Sequence, residues 1–240
     1  MHSFLIVSAG AGGTSAAIRA SAAHGFIVTF SPAAAACEAV ADAVALAGEQ
    51  GRPAWIRPGA PARGLPSAEH LAVAVAARPA GIVLPQVAGP EDIERFGARL
   101  RVLEARLGLG DGETRIVAVI GTPAAVLAAP RLRPHPRLAA LAWAPFRLRG
   151  WRAPGGDVRR LSRSLTLLAA SQAGVPALAF ARDGDDALPG GTLPDDVFRR
   201  RCRQALEEGF DAMVAESEAE VRAIHAICGP DAGPLPFEYP

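Results

Sequence analysis

Eight short apolar segments recur along the chain, and each is followed by a longer segment with helical periodicity. The apolar segments cover residues 4–9, 25–30, 53–58, 81–87, 115–122, 138–144, 175–181 and 210–215. Apolar side chains on successive residues are typical of a parallel strand that is covered on both faces. The segments between them predict helices near 13–23, 33–48, 67–77, 90–107, 123–129, 157–172, 194–208 and 216–227. Eight strand–helix units in 240 residues predict an α/β fold, the (β/α)8 TIM-type barrel, with a doubly wound open sheet as the alternative.

The domain organisation that follows is simple. We predict one barrel domain over residues 1–228 and a proline-rich C-terminal tail over residues 229–240. The tail could be an extended arm that covers a neighbouring subunit, or a disordered end.

The first predicted turn, "SAGAGGTS", resembles the start of a dinucleotide-binding site. Gly10 and Gly12 fit the G-x-G-x-x-G fingerprint, but its third glycine position is Ser15. The second strand ends in "TFSP" without the acid that would bind a ribose. The turn is therefore interpreted as the first βα loop of the barrel.

Composition excludes several classes of function. All 25 basic residues are arginine, so Schiff-base aldolases, pyridoxal-phosphate enzymes and P-loop proteins, which need a lysine, are excluded. The formal net charge of +1 predicts neither nucleic acid nor a membrane surface as a partner. Cys37, Cys202 and Cys228 are isolated, so neither a disulfide framework nor a zinc knuckle is expected, and a cytoplasmic location is predicted.

In a barrel of this kind the working residues follow the strands, where few ionisable side chains occur in this chain. Arg57 ends the third apolar segment and would place a guanidinium suited to a carboxylate or phosphate in the barrel mouth. Alternatively, its stem packs on Trp55 or it pairs with a distant acid. Asp183, Asp185 and Asp186 follow the seventh segment and could bind a hard cation, or form a solvated acidic loop. The five histidines are scattered, and no hydrolytic triad is visible.

Six motifs in order resemble the citrate lyase beta-subunit-like family, the HpcH/HpaI aldolases. They are "AWIRPGAP", "ARPAGIVLPQVAGPEDIERF", "RIVAVIGTPAAVLAAPRL", "LAALAWAPFRL", "LSRSLTLLAASQAGVPALAF" and "EEGFDAMVAESEAEVRAIHAIC". The resemblance implies a modified (β/α)8 barrel that assembles as a trimer or hexamer. It also implies Mg²⁺-dependent cleavage or formation of carbon–carbon bonds in 3-hydroxy acids or their CoA thioesters.

The same resemblance shows where this chain departs from the family's site. Gly121 replaces the metal-binding glutamate, and Phe146 and Arg147 replace the acids of the second metal motif. Arg57 matches the family's substrate-binding arginine, and Thr122 also matches the family's polar set. Gln86 stands where the family has a lysine. Mg²⁺ is usually anchored by one or two carboxylates, so binding of Mg²⁺ at Gly121 and Arg147 is not expected, and no cofactor is assigned. Arg147 could instead act as an electrophile towards an oxyanion.

These observations lead to three hypotheses. The first is a citrate-lyase-like barrel without the Mg²⁺ site, with reduced, altered or absent lyase activity, whose mouth still binds a small carboxylate or CoA thioester. The second is a conventional Mg²⁺-dependent lyase whose metal is held by Asp183 or Asp185. The third is a non-catalytic partner subunit of an active homologue. A homo-oligomer, trimer or hexamer, is expected from the resemblance.

Overall fold

The structure is a computed structural model, which describes residues 1–9, 13–30, 34–59, 66–85, 87–144, 156–180, 195–229 and 233. Strands and helices alternate along it. The strands are β1 His2–Ser8, β2 Gly25–Phe30, β3 Ala54–Pro58, β4 Gly81–Leu84, β5 Arg115–Ile120, β6 Leu138–Trp143, β7 Ala177–Phe180 and β8 Ala212–Ala215. The helices are α1 Thr14–Ala20, α2 Ala34–Glu49, α3 Ala68–Ala76, α4 Pro90–Leu107, α5 Pro123–Ala128, α6 Gly156–Ala173, α7 Asp195–Glu208 and α8 Glu218–Cys228. A short 3-10 helix, Ala129–Arg131, extends α5. The predicted strand–helix alternation is confirmed.

The eight strands are parallel and close into a barrel in sequence order. Closure is completed by β8, which pairs with β1 in a register that places Phe4 opposite Val214 and Leu5 opposite Ala215. The (β/α)8 prediction is therefore confirmed, and the doubly wound open sheet is ruled out because a closed sheet has no edge strands.

The strands are apolar on successive residues because each is buried on both faces. One set of side chains fills the barrel interior, and it includes Phe4, Ile27, Trp55, Val119 and Val214. The alternate set faces the helices, and it includes Leu5, Phe26, Ile56, Leu141 and Met213. The side-chain period of two along a strand separates these two layers of the core.

Helix ends follow local rules. Helix α4 begins with Pro90 at its first position, carries Glu91 and Asp92 in its first turn, and ends at Gly108 with a left-handed φ of 67°. Proline and acids suit the helix N-terminus, and glycine adopts the left-handed cap without steric cost. Helix α8 is capped by Ser217, whose side chain accepts a hydrogen bond from the Glu220 amide.

The described elements run from His2 to Cys228, and the division between barrel and tail stays a prediction. Within the described part of the tail, the Gly233 carbonyl lies 3.3 Å from His2 Nε2, at the N-terminal end of β1. The remainder of the tail beyond Gly229 lies outside the described residues. Among the helices described, none is both long and apolar enough to cross a bilayer.

Candidate functional site: the barrel mouth

Three polar side chains lie on adjacent strands at the carboxyl end of the barrel. Register places Ser8 of β1 opposite Thr29 of β2, and Thr29 opposite Arg57 of β3. Ile27 and Trp55 belong to the barrel interior, so Thr29 and Arg57, two residues further on, face the barrel axis as well. The sequence prediction that Arg57 lies at the mouth agrees with this placement, and its role there stays a prediction.

Hydrogen bonds hold the rim between β1 and β2. The Thr29 hydroxyl donates to the Val7 carbonyl at 3.2 Å and lies 3.0 Å from the Ser8 hydroxyl, which therefore donates to it. The Thr14 hydroxyl donates to the Ser8 carbonyl at 2.7 Å. The start of α1 is thereby attached to the end of β1, which fixes the backbone on both sides of the glycine-rich turn.

Arg57 is half-buried. The chain turns immediately after it, where the Gly59 amide donates to the Phe30 carbonyl at 3.2 Å. A Cβ atom at Gly59 would lie 3.0 Å from that carbonyl oxygen, so the backbone after β3 runs close to the end of β2 here. The position of Arg57 is consequently set by the sheet, and its planar guanidinium can offer parallel donors to a carboxylate or phosphate at the mouth.

The residues that follow β5 offer no carboxylate. Gly121 is buried and has no side chain to coordinate a metal. Thr122 is the N-cap of α5, and its hydroxyl oxygen accepts from the Ala125 amide at 3.1 Å. The Thr122 hydroxyl therefore stabilises the helix N-terminus, and a bound ligand could use only its remaining hydrogen-bonding capacity.

The other predicted site residues, Gln86, Phe146, Arg147, Asp183 and Asp185, lie outside the described residues, so their roles stay predictions.

The described residues do not fit Mg²⁺ at the position that the resemblance implies. Glu216 directly follows β8, but β6 and β7 separate that strand from β5. Glu91 and Asp92 lie in the first turn of α4, where Glu91 pairs with Arg131 and Asp92 pairs with Arg95. In the described parts of the chain, no group of three or more histidine, cysteine, aspartate or glutamate side chains is arranged to hold a metal ion. No step of a reaction is therefore assigned to a metal.

A cavity of about 380 Å³ opens beside the mouth, between β1, α1 and the start of α8. Its apolar wall comes from β1 and α1, and its polar lining comes from Ser8, Thr14, Glu216, Ser217 and Glu218. The Glu218 carboxylate accepts from the Ala22 amide at 3.3 Å. These residues place hydroxyls and carboxylates beside the mouth.

Sequence reasoning missed a histidine cluster at the opposite end of the barrel. The rings of His24 and His225 are 4.9 Å apart, and those of His2 and His24 are 5.2 Å apart. The buried Ser3 hydroxyl lies 3.0 Å from His24 Nδ1 and 2.8 Å from His225 Nε2. Burial lowers the pKa of His225, although the Glu218 charge opposes that shift. The sequence did contain a signal for this cluster. His2 and His24 lie at the starts of strands and His225 lies near the end of a helix, and in a (β/α)8 barrel strand starts and helix ends lie at the same end.

Cys202 on α7 is not a nucleophile at neutral pH. All three cysteines are free, as their isolated spacing predicts. Burial, together with smaller effects of Cys228 and Glu220, raises the pKa of Cys202 to about 12, so this thiol stays protonated at neutral pH.

No protein-family model matches the chain, and no curated protein matches it by sequence. Solved structures do match. A malate synthase from Haloferax volcanii, in complex with lead(II), aligns over 95% of this chain and 72% of its own with a TM-score of 0.74 and 17% identity. The protein CitE from Mycobacterium tuberculosis, in complex with magnesium and acetate, aligns over 94% of this chain and 90% of its own with a TM-score of 0.65 and 19% identity. An HpcH/HpaI aldolase/citrate lyase family protein from Burkholderia cenocepacia aligns over 94% of this chain and 92% of its own with a TM-score of 0.61 and 17% identity.

These three structures agree with the fold that the six sequence motifs imply. Because the identities lie below 20%, the agreement concerns the path of the backbone and leaves the site residues to be argued from this chain. The chain has the (β/α)8 barrel fold of the citrate lyase beta-subunit-like and HpcH/HpaI aldolase structures.

Proposed function

We propose that the barrel mouth binds a small carboxylate or CoA-thioester ligand through Arg57, and that Mg²⁺-dependent lyase activity is reduced, altered or absent. The proposal rests on two features of the rim that occur together, an arginine at the end of β3 and a glycine after β5. Arg57 faces the axis at the end of β3, in register with Thr29, while the residue after β5 is the buried Gly121. The mouth therefore keeps a group that binds an anion but lacks a carboxylate where the resemblance places a metal ligand.

The chemistry of the rim suits a carboxylate. A guanidinium binds both oxygens of a carboxylate in parallel, and the Ser8 and Thr29 hydroxyls lie on the two strands next to it. Fold relatives have been solved with ligands of this class: CitE with acetate, and the malate synthase with glyoxylate or with pyruvate and acetyl-CoA. We carry only the ligand class over to this chain.

Cleavage of a carbon–carbon bond next to a carbonyl leaves negative charge on an enolate oxygen, which a positive group must stabilise. In this chain Arg147, which follows β6, is the proposed electrophile. Its guanidinium would supply hydrogen-bond donors and a fixed charge to that oxygen, in place of a metal.

A second function, that of a non-catalytic partner subunit or homo-oligomer component, is favoured by the outer surface. Leu127 on α5 is 78% exposed, and Leu161 and Leu168 on α6 are 57% and 66% exposed. Large apolar side chains exposed on neighbouring helices can contribute to an interaction surface. A trimer or hexamer stays a prediction, which sedimentation or light scattering would test.

The test of the main proposal is calorimetric titration with glyoxylate, acetate and acetyl-CoA on the wild type and on Arg57→Gln. Loss of a charge-assisted hydrogen bond to a bound carboxylate should weaken binding about tenfold or more. The matched control is Arg95→Gln on α4, where the arginine is 62% exposed and paired with Asp92. We expect the control to bind within about twofold of the wild type, as is usual for a distant surface charge.

Equal affinity of wild type and Arg57→Gln for all three ligands would contradict the proposal. Cleavage of a 3-hydroxyacyl-CoA that continues after a chelator has removed all metal ions would indicate an altered lyase mechanism. The lack of any cleavage would indicate that lyase activity is absent.

A further inference from the structure

The histidine cluster lies where the first and last strands of the barrel meet. His2 and Ser3 begin β1, which pairs with β8, while His24 lies just before β2 and His225 lies in the last turn of α8. Ser3 and His2 are 0% and 5% exposed, and His24 and His225 are half-buried. The cluster therefore connects α8 to the starts of β1 and β2.

The backbone of Ser3 determines where the His24 ring carries its proton. The Ser3 amide donates to His24 Nδ1 at 3.2 Å. Because a backbone amide can only donate, Nδ1 carries no proton, and the neutral ring carries its proton on Nε2. The geometry is held by the adjacent backbone bond, in which the His24 amide donates to the Ser3 carbonyl at 3.0 Å.

The Ser3 hydroxyl joins the two half-buried rings. It lies 3.0 Å from His24 Nδ1 and 2.8 Å from His225 Nε2. Since Nδ1 of His24 has no proton, the hydroxyl donates to it, and the Nε2–H group of His225 donates in turn to the hydroxyl oxygen. Ser3 is fully buried, so water does not compete for these bonds.

Protonation of His24 would disrupt this arrangement. A proton on Nδ1 would face the Ser3 amide proton, so the amide would lose its acceptor, and the Ser3 hydroxyl would have to turn its own proton away. The added positive charge would lie on a ring whose centre is 4.9 Å from that of His225 and 5.2 Å from that of His2. The packed cluster therefore requires a neutral His24 ring.

The groups of α8 and of the chain start that act on the cluster leave His225 neutral as well. Burial lowers the pKa of His225, and the charge of Glu218 on the same helix opposes that shift only in part. Burial raises the pKa of the Cys228 thiol at the end of α8, although the Met1 amino group opposes this effect. At neutral pH the helix thus contributes a neutral imidazole and a neutral thiol.

Charged side chains on the neighbouring elements bind backbone. Arg52, before β3, donates to the Ser21 and Ala23 carbonyls at 2.7 and 3.1 Å, in the segment that leads into β2. The Asp211 carboxylate, before β8, accepts from the Ala177 amide at 2.8 Å. These bonds hold the strand starts in place around the cluster.

We propose that the histidine cluster is an acid-sensitive latch that fastens α8 to the starts of β1 and β2 while the His24 ring is neutral. Acidification shifts the latch towards an open form, in which α8 separates from these strands and the rings of His24 and His225 take up protons. The latch lies at the end of the barrel opposite Arg57, so it does not depend on the proposed function of the mouth.

The direction of the pH effect follows from proton binding. The open form binds more protons than the closed form, so closure is fully favoured above the ordinary histidine pKa of about 6.5 and weakens as the pH falls below it. One proton that binds only in the open form changes the opening equilibrium about tenfold for each pH unit below that value.

The test is hydrogen exchange of the full chain, followed by mass spectrometry at about pH 7.5 and about pH 5.5 and corrected for the intrinsic effect of pH on exchange. In the wild type we expect protection of the α8 amides to fall about tenfold or more at the lower pH. Protection of α4, which does not contact the cluster, should change by less than about twofold.

His24→Asn is the deciding variant, because the asparagine amide oxygen can accept from Ser3 as Nδ1 does but cannot be protonated. It should lessen the acid-induced loss of α8 protection about tenfold. In the double variant with His225→Gln, whose amide nitrogen can donate to Ser3, the remaining loss should be less than about twofold.

His135→Asn is the matched control. His135 Nδ1 accepts from the Arg137 amide at 3.1 Å, so the substitution alters the same kind of bond at a position before β6. This variant should keep the acid response of α8 that the wild type shows.

The proposal would be overturned by an acid-induced loss that is equal in the wild type and His24→Asn, by an equal loss in α4 and α8, or by no loss at all. Circular dichroism checks that each variant is folded. If His24→Asn does not fold, nitrogen NMR of the wild type decides the question. A His24 ring that stays neutral at about pH 5.5 in the folded chain supports the latch, and a charged ring contradicts it.

Discussion

At the scale of single residues, a buried ion pair joins α4 to the segment just before β6. Glu104 of α4 and Arg137, just before β6, are 1% and 4% exposed and are joined by two hydrogen bonds of 2.9 and 2.6 Å. The backbone amides of Thr114 and Gly112 also donate to Glu104, at 2.7 and 3.2 Å. Arg137 contacts Asp111 as well.

These bonds decide the protonation of Glu104. Burial alone raises its pKa, but the hydrogen bonds from Arg137 and from the Thr114 and Gly112 amides outweigh burial, so the pKa lies below its usual value. A carboxyl with a lowered pKa stabilises the fold fully above its unfolded pKa of about 4.3. That stabilisation is lost as the pH falls through the lowered pKa.

We expect Glu104→Gln to lower the free energy of unfolding at pH 7 by about 3 kcal/mol, because it removes the charge that compensates a buried guanidinium. Urea denaturation followed by circular dichroism measures the change. Glu94→Gln on the same helix is the control, since that carboxylate is 72% exposed, and its effect should stay below about 1 kcal/mol. Comparable losses in the two variants would show that the Glu104–Arg137 pair contributes little.

At the scale of elements, β4 fits between its neighbours only because it begins with glycine. A Cβ atom at Gly81 would lie 2.3 Å from the Arg115 carbonyl oxygen of β5 and 2.5 Å from the Trp55 ring of β3. Both neighbours are constrained, since one is backbone in the sheet and the other is a buried ring in the barrel interior. The start of β4 therefore has no room for any side chain.

We predict that Gly81→Ala lowers the unfolding free energy by about 2 to 3 kcal/mol, the upper part of the usual cost of overpacking a core. Gly48→Ala in α2 is the matched substitution, because its Cβ would meet nothing within 4 Å and its backbone is helical. That change should stabilise the protein by about 0.5 to 1 kcal/mol, through higher helix propensity. Thermal denaturation of both variants measures the difference, and a neutral Gly81→Ala would mean that the sheet adjusts more easily than its geometry indicates.

At the scale of the whole molecule, the closed barrel separates three regions with different chemistry. The mouth carries Arg57 and the hydroxyl pair of Ser8 and Thr29, and the opposite end carries the histidine cluster around Ser3. A cavity of about 200 Å³ with arginines in its lining lies between α6 and α7. The resemblance places metal binding at the mouth, where the residue after β5 is Gly121.

A titration with Mn²⁺ in place of Mg²⁺, followed by electron paramagnetic resonance, tests metal binding on the intact chain. We expect no tight, stoichiometric site, either alone or with acetyl-CoA, because Mg²⁺ sites rely on carboxylate anchors that Gly121 cannot provide. Stoichiometric binding that is lost in Asp183→Asn or Asp185→Asn would instead favour the hypothesis of a conventional lyase with relocated ligands.

The differences between predicted and observed element ends have local causes. The fourth segment is predicted to reach residue 87, but β4 ends at Leu84, because Pro85 has no amide to donate to the sheet. The fifth is predicted to reach residue 122, but β5 ends at Ile120, because Thr122 and Pro123 begin α5 as its N-cap and first residue. In both cases the run of apolar residues continues past the last residue that is hydrogen-bonded in the sheet, so the predicted strand is too long.

The sequence by itself determined the number, order and type of the elements, and the position of Arg57 at a strand end, because periodicity and helix caps act over a few neighbouring residues. Only the tertiary structure decided which distant residues meet. Ser3 reaches His225 across 222 positions, and the arginines of α6 and α7 converge only when β6 to β8 are in place. Such contacts depend on closure of the barrel, which brings the first and last strands together. A local pattern of side chains does not show which residues far apart in the sequence will come into contact.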